Sequence, residues 1–420
     1  MKTLRQIIPS ANLRIALLLA VLTGSILIVY QGMNFPTMRL SDSAAYYTSS
    51  KILLRGDTRS RIYDDKWFLE KSRAFGIRET TGIFYVNPPL ASAMYLPVAS
   101  LDPFTAKVAW NLVSVASLLF LWLRSRDLIG APSGPGYDLL LLILMTWSIP
   151  LLRNLQRGQV YVVMLLLVMT FYRGYTGNRP WLSATSLAIL ILLKYFGWLF
   201  LLLHALERRW KDLAKTVALT VAGLIVSMSV LGTQVYIHHI ERLTEAFHTA
   251  EIASSHLPCV PALMGTLIGY QENSNPGPRS LPLASLLTLI SLAGAVLFTF
   301  RQGNEIYSPE RKYRFFALLV LSIMFTPLAS DHHYVMLSIP LFVYVSSLEW
   351  EGVRFWRLPA IALLTYLLIG WFPSPASYPW ELLRTYSPFL PLSGAIALWF
   401  ALVSRAQVVG HGKSIQSNPY

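Results

Sequence analysis

The apolar segment that opens with Arg14 and runs through Tyr30 meets no further charge before Arg39, a stretch long enough to cross a hydrocarbon core of about 30 Å as a helix. Comparable apolar runs recur at 103–123, 137–152, 158–172, 181–193, 197–206, 213–232, 281–299, 313–328, 334–348, 358–372 and 388–404. With the first run taken as 14–34, they predict about twelve crossings. Backbone polar groups in lipid must be satisfied inside their own segment, so runs of this length become helices. No ten-residue alternation of the kind a transmembrane barrel needs is present. The expected fold class is therefore an all-α polytopic membrane protein, one domain over 1–420.

Composition removes other classes. Hydrophobic residues make up 54% of the 420 and charged residues 13%, which a soluble surface of this size does not tolerate. The net charge of +14 would suggest nucleic acid in a soluble protein. Here Lys and Arg flank apolar segments, where they orient helices and meet lipid phosphates, and no nucleic-acid-binding motif accompanies them. The single cysteine, Cys259, excludes an intramolecular disulfide and has no metal-site spacing. No small-residue cleavage site follows the first run before Asp42, so a retained helix is expected.

Orientation follows from the basic clusters. Arg124/Arg126, Arg173/Arg179, Arg208/Arg209/Lys211/Lys215, Arg311/Lys312/Arg314 and Arg354/Arg357 fall on one side of the twelve-crossing scheme, with both termini. That side is expected to be cytoplasmic. The opposite face receives long polar segments at 35–102 and 233–280, in which amphipathic surface helices are expected. Within the first of them, 83–102 is apolar but broken by Pro88, Pro89 and Pro97, which predicts a re-entrant or surface-lying piece rather than a helix.

Aqueous acids are scarce, which draws attention to Asp42 in Arg39-Leu40-Ser41-Asp42-Ser43-Ala44-Ala45-Tyr46-Tyr47, just past the first run. An ionisable group at the membrane surface suits a general base. A Ser-Asp-Ser triplet ahead of Ala-Ala-Tyr-Tyr equally suits a helix N-cap. Lys194 interrupts a long apolar stretch, where an ammonium needs a partner and could meet an anion, or snorkel to the surface. His332 and His333 follow Asp331 at a helix entrance, and adjacent residues on a helix face different ways, so one phosphate would not use both. His238, His239, His248 and His256 form no His-Glu-x-x-His pattern, and neither a metal nor another cofactor is expected.

The order of several short phrases resembles one family. Asp42 after the first helix, then Leu53-Leu54-Arg55-Gly56, Ile62-Tyr63-Asp64, Tyr85-Val86-Asn87-Pro88-Pro89-Leu90, Gln156-Arg157-Gly158-Gln159, Leu192-Leu193-Lys194-Tyr195 and Ser330-Asp331-His332-His333-Tyr334 are similar to glycosyltransferase family 87, also catalogued as DUF2029, within the GT-C superfamily. Tyr161 departs where asparagine is common, and Tyr195 where proline is expected. The resemblance implies a GT-C-type bundle moving a hexose, mannose by analogy, from a polyprenyl-phosphate donor to a lipid or glycan hydroxyl on the extracytoplasmic face. It implies Asp42 as base, Lys194, His332 and Arg157 at the donor phosphate, and Tyr85, Asn87, Gln159 and His333 lining the acceptor or sugar. The rival from another class is a multi-pass lipid or solute transporter or flippase, for which acids near helix centres and internal repeats would be expected.

Overall fold

The computed structural model describes residues 11–33, 40–77, 83–84, 86–132, 134–248, 257–268, 280–301, 311–348, 357–371 and 386–416. Among them there are helices and turns and no β-strand. In chain order the α-helices are α1 (Ala11–Met33), α2 (Ser43–Arg55), α3 (Asp65–Ala74), α4 (Pro103–Ile129), α5 (Pro135–Thr146), α6 (Ile149–Arg157), α7 (Tyr161–Thr176), α8 (Pro180–Lys194), α9 (Leu199–Leu206), α10 (Trp210–Leu231), α11 (Thr233–His248), α12 (Val260–Leu267), α13 (Ser280–Phe300), α14 (Arg311–Met324), α15 (Ser338–Ser346), α16 (Arg357–Gly370) and α17 (Leu390–Gln416).

Among the described residues four helical stretches are long and apolar enough to span a membrane: Pro103–Ile129, Trp210–Leu231, Pro282–Phe300 and Ser387–Gln407. The pair Gly136–Thr146 and Ile149–Arg157, bent by 53°, makes a fifth if counted as one broken span. Hydropathy alone runs straight through Ser148, whereas the helix breaks there. On α10 the residues Val217, Val221, Ile225, Val226 and Val230 are exposed, an apolar surface that water would not tolerate and lipid does. These features make the chain an integral membrane protein. Other apolar runs are shorter helices, such as Tyr161–Thr176 and Pro180–Lys194.

Two compact units divide the chain. One comprises the described residues of Met1–Ile28, Leu121–Leu151 and Ala250–Tyr420, the other those of Val29–Phe120 and Leu152–Thr249. In the first, α14 is the centre: every residue from Tyr313 to Met324 is buried, and α17 packs along it. In the second, α8 lies between α7 and α10, and α2 rests on the 3-10 turns Pro89–Ala93 and Leu96–Val98 that replace a helix where the three prolines fall.

Local chemistry sets the ends of these elements. Pro103 opens α4 behind Asp102, whose carboxylate accepts from the N–H groups of Phe104 and Thr105, both at 3.1 Å. Asp64 caps α3 by accepting from the Trp67 N–H at 3.1 Å. The side-chain hydrogen bond from Arg61, at 2.6 Å, is the main reason its carboxyl titrates below the usual carboxylate range, with the Trp67 N–H adding to it.

Candidate active site

Asp42 stands at the N-terminus of α2 yet makes no capping hydrogen bond with its side chain. The residue before it, Ser41, has φ +48, a left-handed turn that brings the chain into the helix. The carboxylate points instead to the end of α6: Gln159 Nε2 donates to Oδ2 at 2.8 Å, and Arg157 Nη1 lies 3.7 Å from the same oxygen. Both charged side chains keep about a third of their surface open, 35% for Asp42 and 36% for Arg157, so a ligand can reach them.

Gly158 makes this approach possible. Its φ is +62, and a Cβ there would stand 2.6 Å from the Ser43 Cβ and 3.0 Å from the Tyr95 hydroxyl. The glycine therefore lets α6 end directly against the start of α2. A helix end leaves carbonyls without intrahelical partners, and in a membrane protein these must be met by side chains. They are: Lys107 Nζ donates to the Gln156 carbonyl at 2.6 Å, Asn111 Nδ2 to Leu155 at 3.1 Å, Tyr95 Oη to Gly158 at 2.7 Å and Trp110 Nε1 to Gln159 at 3.2 Å. Tyr95 in turn stacks between Trp110 and Tyr46, with ring centroids 4.6 and 5.7 Å away.

Tyr46, one helical turn beyond Asp42, links the carboxylate to a second charged group. Its hydroxyl donates to Gln159 Oε1 at 3.2 Å, and the Lys194 ammonium lies 5.2 Å above its ring and 5.7 Å from that of Tyr161. Lys194 Nζ donates to Asn87 Oδ1 at 2.6 Å. Asn87 is held on both sides, its amide donating to the Phe84 carbonyl at 2.7 Å and its own carbonyl accepting from Tyr63 at 2.6 Å. Tyr63 also walls an open polar cleft of about 380 Å³, lined by Ser60, Arg61, Asp64, His238, Glu241, Arg242 and Glu245. Arg242 bridges Asp65 and Glu245 across it, the latter at 2.8 Å.

Of the residues singled out in the sequence, Asp42, Asn87, Arg157, Gln159 and Lys194 converge in the second unit. His332 and His333 belong to the first unit. There His332 is buried with Nδ1 3.5 Å from Asp331 Oδ1, its ring stacked on His333 at 4.7 Å, and His333 Nδ1 accepts from the Ser330 N–H at 3.0 Å. Tyr85 lies outside the described residues, as do His256 and the side chain of His248. Among the described residues no three His, Cys, Asp or Glu side chains form a group that could hold a metal ion. His239 is buried in α11, and burial pushes its imidazole down to about 4.

Several contributors escaped the sequence reading. Tyr46 had a readable signal, four positions after Asp42 on the same helix face. So had Lys107 and Asn111, polar residues inside an apolar run, which deserved the same question as Lys194. Tyr63 gave only its place in the Ile62-Tyr63-Asp64 phrase, and Tyr95 gave none, since aromatic residues are common throughout.

Residues 85–330, more than half of the chain, match the family model for glycosyltransferase family 87. The chain belongs to glycosyltransferase family 87. Asn87, Arg157, Gln159 and Lys194 fall inside the matched span, and Asp42 precedes it. Among relatives, a polyprenol-phosphate-mannose-dependent alpha-(1-2)-phosphatidylinositol pentamannoside mannosyltransferase of Mycolicibacterium smegmatis is 24% identical over 329 residues, covering 76% of each chain. A protein of the same description from Mycobacterium tuberculosis is 22% identical, over 76% of this chain and 74% of its own. A polyprenol-phosphate-mannose-dependent alpha-(1-2)-phosphatidylinositol mannoside mannosyltransferase of that organism is 23% identical with the same coverage. No solved structure gives a significant match. Family membership makes the chain a glycosyltransferase and displaces the transporter reading.

Proposed function

We propose that this family 87 enzyme transfers a mannosyl residue from a polyprenyl-phosphate donor to a hydroxyl of a lipid or glycan acceptor, on the extracytoplasmic side of the membrane. The observation that carries the reading is the Asp42 carboxylate, free of its own helix, fixed by Gln159 and set among Arg157, Tyr46 and Lys194.

The chemistry asks for two things. The acceptor oxygen attacks the anomeric carbon as the bond from that carbon to the donor phosphate oxygen breaks, and the hydroxyl proton must leave. Asp42 takes it. The departing phosphate carries its charge away as a stable anion, so no second carboxylate is required, unlike glycoside hydrolysis. Lys194 and Arg157 meet the developing charge, where positioned cations in a poorly hydrated pocket act most strongly. No metal is assigned to the reaction. Inversion at the anomeric carbon gives an α-linked product from a β-linked donor. Gln159 and Asn87 orient the carboxylate and the ammonium. The polar cleft beyond Tyr63, with its mix of carboxylates and guanidinium groups, suits the hydroxyls of the acceptor's sugar. The topology proposed with this reading keeps about twelve apolar crossings, both termini cytoplasmic, and a GT-C-type arrangement of one membrane domain.

The test is transfer of radiolabelled mannose from polyprenyl-phosphate mannose into membrane lipids. Asp42→Asn is expected to lower transfer by roughly a hundredfold or more while the protein stays folded. Undiminished transfer by that variant would remove Asp42 from the reaction.

A further inference from the structure

The Lys194 ammonium is held in a closed ring of contacts. Lys194 Nζ donates to the side-chain Oδ1 of Asn87, and the backbone carbonyl of Asn87 accepts from the Tyr63 hydroxyl, each at 2.6 Å. The Tyr63 ring lies 5.3 Å from that of His239, and His239 Nε2 is 2.6 Å from the Tyr195 hydroxyl. The rings of Tyr195 and His239 stack at 5.9 Å with 24° between their planes. Tyr195 follows Lys194 directly in the chain, which closes the ring. Its members come from separate pieces: the end of α8, the proline-broken segment, the turn before α3, and α11.

Tyr195 has φ +54, a left-handed conformation that costs a residue with a side chain about 1–2 kcal/mol. Such a conformation closes the C-terminal end of α8, where the Tyr195 N–H donates to the Ile191 carbonyl at 2.8 Å, and the His239 contact ties down the side chain it presents. Proline, expected at this position from the family resemblance, is locked near φ −65° and could not take it. The aim of the Lys194 side chain thus depends on a tyrosine anchored from α11. That anchor differs from the ties that seat α11 itself, which include the Arg242–Asp65 ion pair, the Ser227–Tyr236 hydroxyl contact and the contact of His238 Nδ1 with the Ser60 carbonyl at 2.7 Å. Loss of the Tyr195 hydroxyl therefore frees the end of α8 without unseating α11.

We propose that Tyr195 and His239 are positioning residues for donor binding, which fix the Lys194 ammonium against the donor phosphate through this ring. The inference rests on the reading of Lys194 as a phosphate contact. It makes the second outer segment, through His239, a determinant of donor affinity although it supplies no group to the phosphate.

The experiment is a double-mutant cycle on the full chain in lipid nanodiscs, reading the Kd of polyprenyl-phosphate mannose by calorimetry. Tyr195→Phe is expected to weaken donor binding roughly fivefold to tenfold, the loss of one hydrogen bond that orders a charged group. In a Lys194→Met background the same change is expected to add nothing. His239→Gln, which keeps a hydrogen-bonding group toward Tyr195, is expected to stay within about twofold of wild type where His239→Ala does not. Additive losses in the cycle, or an unchanged Kd for Tyr195→Phe while Lys194→Met weakens binding, would overturn the inference and leave the Lys194 reading intact. An unchanged Kd for Lys194→Met itself would overturn both.

Discussion

The side-chain amide of Gln159 donates to the carboxylate of Asp42 at 2.8 Å, joining the start of α2 to the end of α6 across 117 positions of sequence. The same amide's oxygen accepts from Tyr46, so its orientation is fixed: the nitrogen faces the acid and the oxygen faces the phenol.

Replacing Gln159 separates orientation from charge. Gln159→Leu is expected to lower kcat roughly tenfold, the loss of one hydrogen bond to a charged group, and to move the acid limb of the pH–rate profile to higher pH, since that bond favours the ionised acid. Gln159→Glu sets a second carboxylate against Asp42 and disfavours its ionised form, so the acid limb of the profile is expected to move to higher pH. A limb that stays put in both variants would show that Gln159 does not act on the base.

Gly158→Ala combines a left-handed φ of +62 with a Cβ that has no room against Ser43. The expected result is a loss of about 1–2 kcal/mol from the backbone alone, more from the collision, and a fall in transfer as Asp42 and Gln159 are pushed apart. Thermal unfolding in detergent, with transfer measured on the same preparation, checks it.

His239 gives a pH dependence of known sign. Burial lowers its imidazole from the ordinary 6.5 to about 4, and the titratable groups facing it are the hydroxyls of Tyr63 and Tyr195. The unfolded chain takes up the proton first as pH falls. Its contribution is therefore whole above pH 6.5 and is lost between about 6.5 and 4, on the order of 3 kcal/mol when complete. His239→Gln is expected to remove that slope from a plot of unfolding midpoint against pH, and an identical slope in both proteins would contradict the assignment.

Lys107→Met removes the ammonium that meets the Gln156 carbonyl at 2.6 Å. The expected cost is roughly 1–3 kcal/mol, since a helix-end carbonyl is left without that donor in an apolar setting. Asn111→Leu is expected to act in the same direction and less strongly. Unfolding curves of the single variants and of the pair decide this, and a neutral Lys107→Met would mean the end of α6 is supported elsewhere.

Much of the architecture was legible because hydropathy is a local property. The runs at 103–123, 213–232, 281–299 and 388–404 are all seen as long helices, and the prolines of 83–102 break the chain into short turns as expected. What hydropathy could not show was where an apolar stretch bends, as at Ser148 between α5 and α6. The site divides in the same way. Asp42 and Lys194 stood out because a charge in an apolar setting needs a reason, and Arg157 and Gln159 through the Gln156-Arg157-Gly158-Gln159 phrase of the family resemblance. The capping role offered to Asp42 by its Ser-Asp-Ser context is not what its side chain does, since that choice depends on a partner 117 residues away. Tyr63, Tyr95 and His239 act through ring contacts between distant segments, which no local pattern encodes.

The row of donors that α4 presents to the end of α6 bears on how inactive alleles of such an enzyme are interpreted. Lys107, Trp110 and Asn111 hold backbone carbonyls there, and damage to any of them is expected to shift Arg157 and Gln159 and so lower turnover. A screen scored by growth or product alone will group these positions with Asp42, and a map of essential residues drawn from it will extend well beyond the atoms that ever meet a sugar.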